Sequence, residues 1–597
     1  MKADSIRYPV VQNIRMTNNI RVFLWLGLAL ALWLNYSQWQ IDYGPKPTAT
    51  SSQSLGQPGT ADAPKPPSLE ETVPQAAQTA PQTPAAATDA VPSAAPESTA
   101  PAAVETAGTV RVSTDVLVLD IALKGGTLVY AELPGYPVVK GEPAPVVLFN
   151  RSSPATNYVL QTGLSGATST DRRPTHVETF SAAAEKYELA PGQDELRVPL
   201  TWTDGNGVTV TKTYVFRRSM FAIGVEYSIA NQSAAPWVVH SYARIARTDT
   251  PLERSMFHFS AEAYAFRGPA MWAVQKNEPG QKNHYRRLKM DKADDQRPVE
   301  VKAGWLAGMQ HHFVSAIVPD PTKTYTYSLE ARDRLYILGA MGPAEVVAPG
   351  ATGVLKETIF VGPKLQKQLE SLHEELPRVA DYGALTLLSK PLFAMLEFAH
   401  SFVHNWGVAI ILVTFLLKLL FYPLSEKAGR SMARMRALAP RMKTLQETYK
   451  DDRTKLGQAT MELYKTEKVN PVAGCLPMII QMPVFLAFYW VLLESVEMRQ
   501  APFFGWINDL SSRDPYFILP LLNGLAMWGQ SKMNPPPPDP MQARIFQLMP
   551  IVFTVMFSFF PAGLVLYWIT NTGLSILQQW NINRKNALED SARKKRG

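Results

Sequence analysis

Cysteine is all but missing from this chain. Cys475 is the only one in 597 residues, so no intrachain disulfide framework exists. Histidine is scarce too, nine in all, and none stands at a spacing that builds a metal site. No Gly-rich loop ending in Gly-Lys-Ser/Thr occurs, so no P-loop nucleotide hydrolysis is expected. No internal repeat is visible, which weighs against a repeat-built solute transporter. Residues 44–109 hold twelve prolines and almost no large apolar side chains. Such a segment cannot bury enough surface to fold and reads as a disordered tether and nothing more.

What is present is divided unevenly. Apolar residues make up 46% of the chain, but the long apolar runs fall at 22–34 and within 406–580. That pattern excludes a single soluble globule, and equally a protein with spans throughout. The net charge of +8 would suggest nucleic acid in a soluble protein. Here the positive residues cluster beside apolar runs, which points to membrane topology.

Val22–Leu34 follows Lys2, Arg7, Arg15 and Arg21, and Trp33, Tyr36 and Trp39 form an interfacial aromatic belt. No small-residue cleavage site follows closely, so the segment reads as an uncleaved anchor with a cytoplasmic N-terminus. From Val110 the period changes to two. Leu117, Leu119, Ile121 and Leu123 alternate, then Lys124-Gly125-Gly126 turns the chain. Asp204-Gly205-Asn206-Gly207 separates two further alternating runs, a hairpin signal. Similar strands recur to about Val361, which predicts a β-sandwich. His311-His312 invites a metal or acid–base reading. As neighbours on one strand, however, their rings would face opposite sides.

The last third reads as helical. Ala384–Phe402 is amphipathic and suits a membrane interface. Trp406–Leu424 is long enough to span, with Lys418 inside it. Glu426–Val469 carries eleven Lys/Arg against six Asp/Glu and reads as a cytoplasmic helical hairpin turning at Asp451-Asp452. Its apolar stripe either pairs its own two helices or serves partner docking, with Arg434, Arg436, Arg441 and Lys443 as candidate contacts. Ile545–Trp580 as one helix would run about 54 Å against a hydrocarbon core of about 30 Å, so the chain must cross twice, turning at Phe560-Pro561-Ala562-Gly563. Both ends of that stretch are basic. The tail residues Lys594, Lys595 and Arg596 are either partner contacts or plain topological charge.

The expected fold class is a multi-domain integral membrane protein, an α-helical membrane core of six transmembrane helices plus an all-β periplasmic β-sandwich. The segments are a cytoplasmic start at 1–21, an anchor at 22–39, a linker at 40–109 and a β domain at 110–362. A helical connection follows at 363–402, then spans at 406–424, 474–496, 515–530, 545–560 and 563–580. The cytoplasmic hairpin occupies 425–473, a periplasmic loop 497–514, a cytoplasmic loop 531–544 and the basic tail 581–597. Polar residues at membrane depth are functional candidates: Thr414, Lys418, Gln481, Asn571 and Thr572, with the polar tips of Tyr567 and Trp568. Lys418 also lies near enough to the cytoplasmic end to snorkel.

Several motifs in one order carry a resemblance. Val469-Asn470-Pro471-Val472-Ala473-Gly474-Cys475-Leu476-Pro477 runs into Gln481-Met482-Pro483-Val484-Phe485. Arg499-Gln500-Ala501-Pro502-Phe503, Gly563-Leu564-Val565-Leu566-Tyr567-Trp568 and Asn571 follow. Over about 380–585 the chain closely resembles the YidC/Oxa/Alb family of membrane insertases, and the β domain resembles the periplasmic supersandwich of its Gram-negative members. The resemblance implies a bacterial inner-membrane protein with five conserved core helices around a polar groove. That groove opens to cytoplasm and lipid. It implies a cation in the first core helix, here Lys418 where most relatives have Arg, so the charge stays but the planar fork is lost. Gln481 and Trp568 carry over as groove positions, with Thr414, Tyr567 and Asn571 beside them. The implied function is insertion and assembly of newly made membrane proteins, with no bond chemistry and no cofactor. The implied partners are the Sec translocon, the ribosome, targeting factors and membrane lipids. Two other classes remain open on the residues alone: a small-solute transporter, and a membrane-anchored carbohydrate-binding protein.

Overall fold

The computed structural model describes residues 72–74, 108–166, 172–250, 265–274, 284–290, 298–380, 382–450, 452–467, 476–533 and 540–594. The expected anchor at 22–39 lies outside the described residues, as does most of the motif at 469–475.

Among the described residues, eighteen strands between Thr109 and Pro363 form one hydrogen-bonded sheet. They are numbered in chain order. One arm of the ladder runs through β1 (Thr109–Ser113), β2 (Val118–Ala122), β3 (Thr127–Pro137), β5 (Tyr158–Ser165), β11 (Trp237–Thr248), β17 (Leu335–Val347) and β16 (Thr324–Arg332). The other runs through β15 (Phe313–Val318), β18 (Thr352–Pro363), β10 (Ala222–Asn231), β9 (Val208–Arg217) and β8 (Glu195–Thr203). A single long strand, β14 (Val299–Met309), joins the arms. Its first residues, Val299–Lys302, pair with β16, and its last, Leu306–Met309, pair with β15.

The alternation in the sequence sets which faces meet. Ile223, Val225, Tyr227 and Ile229 of β10 are buried in the same core cluster as Leu119, Ile121, Leu160 and Ile245 of the opposite arm. Period-two burial is the expected signature of such packed sheets. The two turns read from the sequence have the backbone their glycines permit. Gly205 and Gly207 adopt φ of 78° and 98° between β8 and β9, and Asp204 accepts from the Asn206 and Val208 amides at 2.7 and 2.9 Å. Gly125 and Gly126 turn β2 into β3 with φ of 75° and 56°.

The histidine pair departs from its sequence reading. His311 and His312 occupy the turn between β14 and β15 rather than a strand, so they do not alternate. Their rings stack, with centroids 3.8 Å apart. His311 Nε2 lies 2.8 Å from the Leu493 carbonyl oxygen, in the helical part of the chain. Burial is the main cause that holds both imidazoles well below the usual histidine range. This turn is one of several ties between the sheet and the helices. Lys140 Nζ donates to the Gln500 and Asn508 carbonyls at 2.7 and 2.5 Å, and Arg499 donates to the Pro137 carbonyl at 2.7 Å. Lys364 and Glu494 pair at 3.9 Å with both side chains buried.

The helices are α1 (Gln366–Leu372), α2 (Thr386–Val403), α3 (Trp406–Leu420), α4 (Tyr422–Ala437), α5 (Ala439–Thr448), α6 (Arg453–Thr466), α7 (Leu476–Glu494), α8 (Ile518–Met533), α9 (Pro540–Phe557) and α10 (Ala562–Lys594). Asn405 caps α3 by accepting from the Val408 amide at 3.1 Å. The chain bends by 62° between α3 and α4. Pro423 explains the break, because its ring would clash with the carbonyl of Leu419 in a continuous helix. Asp514 caps α8. Its buried carboxylate accepts from the Trp506 indole and from the Tyr516 and Leu519 amides at 3.0, 3.0 and 2.7 Å. Gly524 of α8 lies so close to Thr554 of α9 that a Cβ would sit 2.0 Å from its hydroxyl.

Among the described residues no single helix is long and apolar enough to cross a membrane, although the bent pair α3–α4 passes the test together. In place of the expected two-helix hairpin, 422–466 forms α4, α5 and α6, with a break at Leu438 before Pro440 and Asp452 capping α6.

Glu357 of β18 is buried among the strands, and burial pushes its carboxyl up to about 7, against the pull of Ser241 and Lys323. An acid raised above its unfolded value stabilises fully below about 4.5 and loses that contribution as pH rises through about 7. Glu357→Gln should therefore raise the melting temperature of the full chain at pH 8 and leave it unchanged at pH 4. The gain at pH 8 is about 2–3 kcal/mol, a few degrees. A gain that is equal at both pH values contradicts this assignment.

Candidate functional site

Helical spacing builds the site. Thr414 and Lys418 stand four apart on α3, and Tyr567, Asn571 and Ser575 stand at successive fours on α10, so each set shares one face. The two helices pack together, and α7 brings Gln481 between them. A small cavity of about 20 Å³ results, lined by Thr414, Leu417, Lys418, Phe421, Leu424, Ser425, Gln481, Val484, Tyr567 and Asn571. No carboxylate is among these residues.

A chain of polar contacts runs through it. Lys418 Nζ donates to Ser575 Oγ at 2.7 Å, and Ser575 Oγ donates to the Asn571 carbonyl at 2.7 Å. Gln481 Nε2 donates to Asn571 Oδ1, and Tyr567 lines the same wall. Thr414 lines the cavity but spends its proton on the Ile410 carbonyl at 2.6 Å, leaving its oxygen to accept. Tyr567 is buried, its ring stacked on Phe488 with centroids 4.6 Å apart. Lys418 is half-buried.

Five of the six groove residues read from the sequence meet at this cavity. Trp568 does not line it. It turns toward an aromatic cluster, edge-on to Phe485 at 4.7 Å and beside Phe557 at 5.2 Å. Ser575, which holds the ammonium, and Ser425, in the wall, were not read as site residues. The signal for Ser575 was its place four residues beyond Asn571.

The basic positions away from the cavity divide differently. Arg434, Arg441 and Lys443 are exposed, and Arg441 pairs with Glu467 at 2.5 Å, tying α5 to the end of α6. Arg436 lies within α4, Lys594 is the last residue of α10, and Lys595 and Arg596 lie outside the described residues. Leu438 and Met442 are buried and Leu445 is half-buried, in and just before a helix that contacts α6. Among the described residues no group of three or more His, Cys, Asp or Glu could hold a metal ion.

Large apolar side chains face outward around the helices, among them Leu416, Leu420, Leu521, Leu525, Ile551 and Val555. A belt of that extent on a water-soluble surface would be an aggregation hazard. Beside lipid it is the natural face.

Two family profiles cover most of the chain: the periplasmic domain of YidC matches residues 109–395, and the 60 kDa inner membrane protein matches residues 398–590. The membrane protein insertase YidC of Thioalkalivibrio sulfidiphilus is 44% identical over 579 residues, covering 95% of this chain and 98% of its own. That of Methylococcus capsulatus is 42% identical over 573 residues, with the same coverage of each chain. A crystal structure of an active YidC insertase with its first transmembrane domain resolved aligns over 80% of this chain and 92% of its own, at 17% identity and a TM-score of 0.35. The sequence relatives decide the matter: the chain belongs to the YidC family of inner-membrane protein insertases.

Proposed function

We propose that this insertase passes the polar tails of newly made membrane proteins through the cavity around Lys418. The observation that carries the reading is a cation held half-buried between apolar helices by a hydroxyl, with two amides alongside and no carboxylate in the lining. Moving a polar tail across hydrocarbon is costly because its hydrogen bonds to water are lost. A polar cavity partway through the helices shortens the dry path. A fixed ammonium attracts acidic residues of the tail, more strongly where water is scarce. The hydrophobic segment then partitions into lipid past the outward apolar belt, and that burial drives the step. No covalent bond is made or broken.

Short helices support the same reading. α3 has 15 residues and α8 has 16, so they extend about 22 and 24 Å against a hydrocarbon core of about 30 Å. Spans of that length favour local thinning of the bilayer, which lowers the barrier further. We take the chain to cross six times, with both termini in the cytoplasm, the β domain in the periplasm and the α4–α6 hairpin on the cytoplasmic side. The basic hairpin and tail then meet the ribosome and targeting factors, and the Sec translocon and lipids are its membrane partners.

The test is protease protection of a two-span substrate in ATP-free proteoliposomes. Wild type should protect it and empty liposomes should not. Lys418→Ala should lower protection of a substrate with an acidic translocated tail about tenfold, roughly 1.4 kcal/mol and well within one charge pair at intermediate dielectric. A neutral tail should change by less than about twofold, and Lys418→Arg should restore the acidic one. If Lys418→Ala inserts both tails as wild type does, the ammonium only snorkels.

Ser575→Ala probes the network around it. Losing one hydrogen bond to a charged group should leave the protein folded and lower acidic-tail insertion about threefold. Unchanged insertion would mean that water replaces the hydroxyl without cost.

A further inference from the structure

The tether at 44–109 is more than a spacer. Its residue Thr72 meets the β domain, where the Thr72 carbonyl oxygen accepts from Arg244 Nη1 at 2.6 Å, and Val73 and Pro74 beside it are partly buried. Arg244 lies on β11 and is 4% exposed, so this donor sits in a built site rather than on a surface.

The other corners of the guanidinium are held in place. Nε donates to Gln161 Oε1 at 2.5 Å, across the β5–β11 pair in which the two residues are directly opposed. Nη2 donates to His176 Nε2 at 2.9 Å. Arginine cannot accept, so Nε2 carries no proton and the imidazole is neutral, protonated at Nδ1. Nδ1 then donates to the Tyr242 oxygen at 2.7 Å, and the His176 amide donates to the same oxygen at 2.9 Å. Gln161, His176 and Tyr242 are all buried. Together they aim Nη1 outward at one point, where a backbone carbonyl sits. Planar, fixed donors of this kind recognise a peptide carbonyl with little loss of freedom.

The tether's sequence suits the site. Residues before proline favour extended backbone, so Val73 ahead of Pro74 is preset for docking. Within 44–109 the large apolar residues are Leu55, Leu69, Val73, Val91 and Val104, and only Leu69 and Val73 stand within a few positions of each other. The only adjacent acidic pair of the tether, Glu70-Glu71, precedes Thr72, and the loop that supplies His176 carries Arg172 and Arg173. Apolar content, acidic charge and a proline coincide at one place in an otherwise featureless stretch.

We propose that the Arg244 site of the β domain is a peptide-binding site whose occupant is this chain's own Thr72–Pro74. The docked segment divides the tether in two. Only 40–71 then links the anchor segment to the domain, and the slack between 75 and 107 is tied off. Since the reach of a flexible chain grows as the square root of its length, pinning residue 72 shortens the mean reach by about a third.

The experiment uses full-length protein in nanodiscs. A fluorescent peptide of residues 68–78 is titrated against wild type and against a chain carrying Thr72→Gly, Val73→Ser and Pro74→Gly. The substituted chain should bind the peptide at least about tenfold more tightly, because in wild type a tethered segment competes at an effective concentration of about a millimolar. A scrambled peptide should bind the substituted chain at least about tenfold more weakly, a control that leaves the protein untouched. Adding Arg244→Gln should abolish the specific binding, provided the melting transition persists. Equal binding of peptide by wild type and substituted chain, or equal binding of true and scrambled peptide, overturns the proposal.

Discussion

A cation among apolar helices must be held by something, and here Ser575 does it. The Lys418–Ser575 hydrogen bond fixes more than one side chain. It ties α3 to α10 across the cavity. Ser575 in turn donates to the Asn571 carbonyl, the Asn571 side chain accepts from Gln481, and Tyr567 lines the cavity beside them. Tyr567 is locked by its stack on Phe488. Three helices are thus set against each other by one polar chain backed by one aromatic pair. An unpaired member would cost more than the bond it replaces, which gives such a network its specificity.

The apolar framework around that network is broken where the sequence breaks it. Pro423 bends the chain after α3, and Pro561 precedes the tight start of α10. Each interruption shortens an element that would otherwise span comfortably. In a protein with only a structural duty in the membrane these would be defects. In the proposed insertion they serve, since short elements and a half-buried polar cavity both reduce the dry distance a tail must cross.

Much of this was legible in the sequence, and the rest was hidden for physical reasons. Alternation at 221–229 and the Asp204-Gly205-Asn206-Gly207 turn announce strands because period and φ are local properties. The four-residue spacings at Thr414/Lys418 and Tyr567/Asn571 mark faces for the same reason. Ser575 shares that four-residue spacing, but a serine in a helix is not marked as a site residue by spacing alone until its partner Lys418 is placed. Trp568 was read as groove-lining, yet an indole has two sides, and the packing of Phe485 and Phe557 decided which one it uses. The stacked His311-His312 pair depends on a turn where a strand was expected. The passage of β14 between the two arms of the sheet is a long-range property that no window of sequence contains.

The ties between sheet and helices bear on direction. His311 holds the Leu493 carbonyl, Lys140 holds those of Gln500 and Asn508, and Lys364 pairs with Glu494. All of these anchor the chain from the end of α7 through the loop that follows it. Asp514 and its three donors stiffen the same loop from within. That end of the helical core is therefore pinned by buried and charged contacts that would have to break together. The opposite end carries the 62° bend between α3 and α4. The cavity lies near this bend, with Lys418 three residues before Phe421, so in the proposed insertion a tail enters from the bent end rather than from the pinned one.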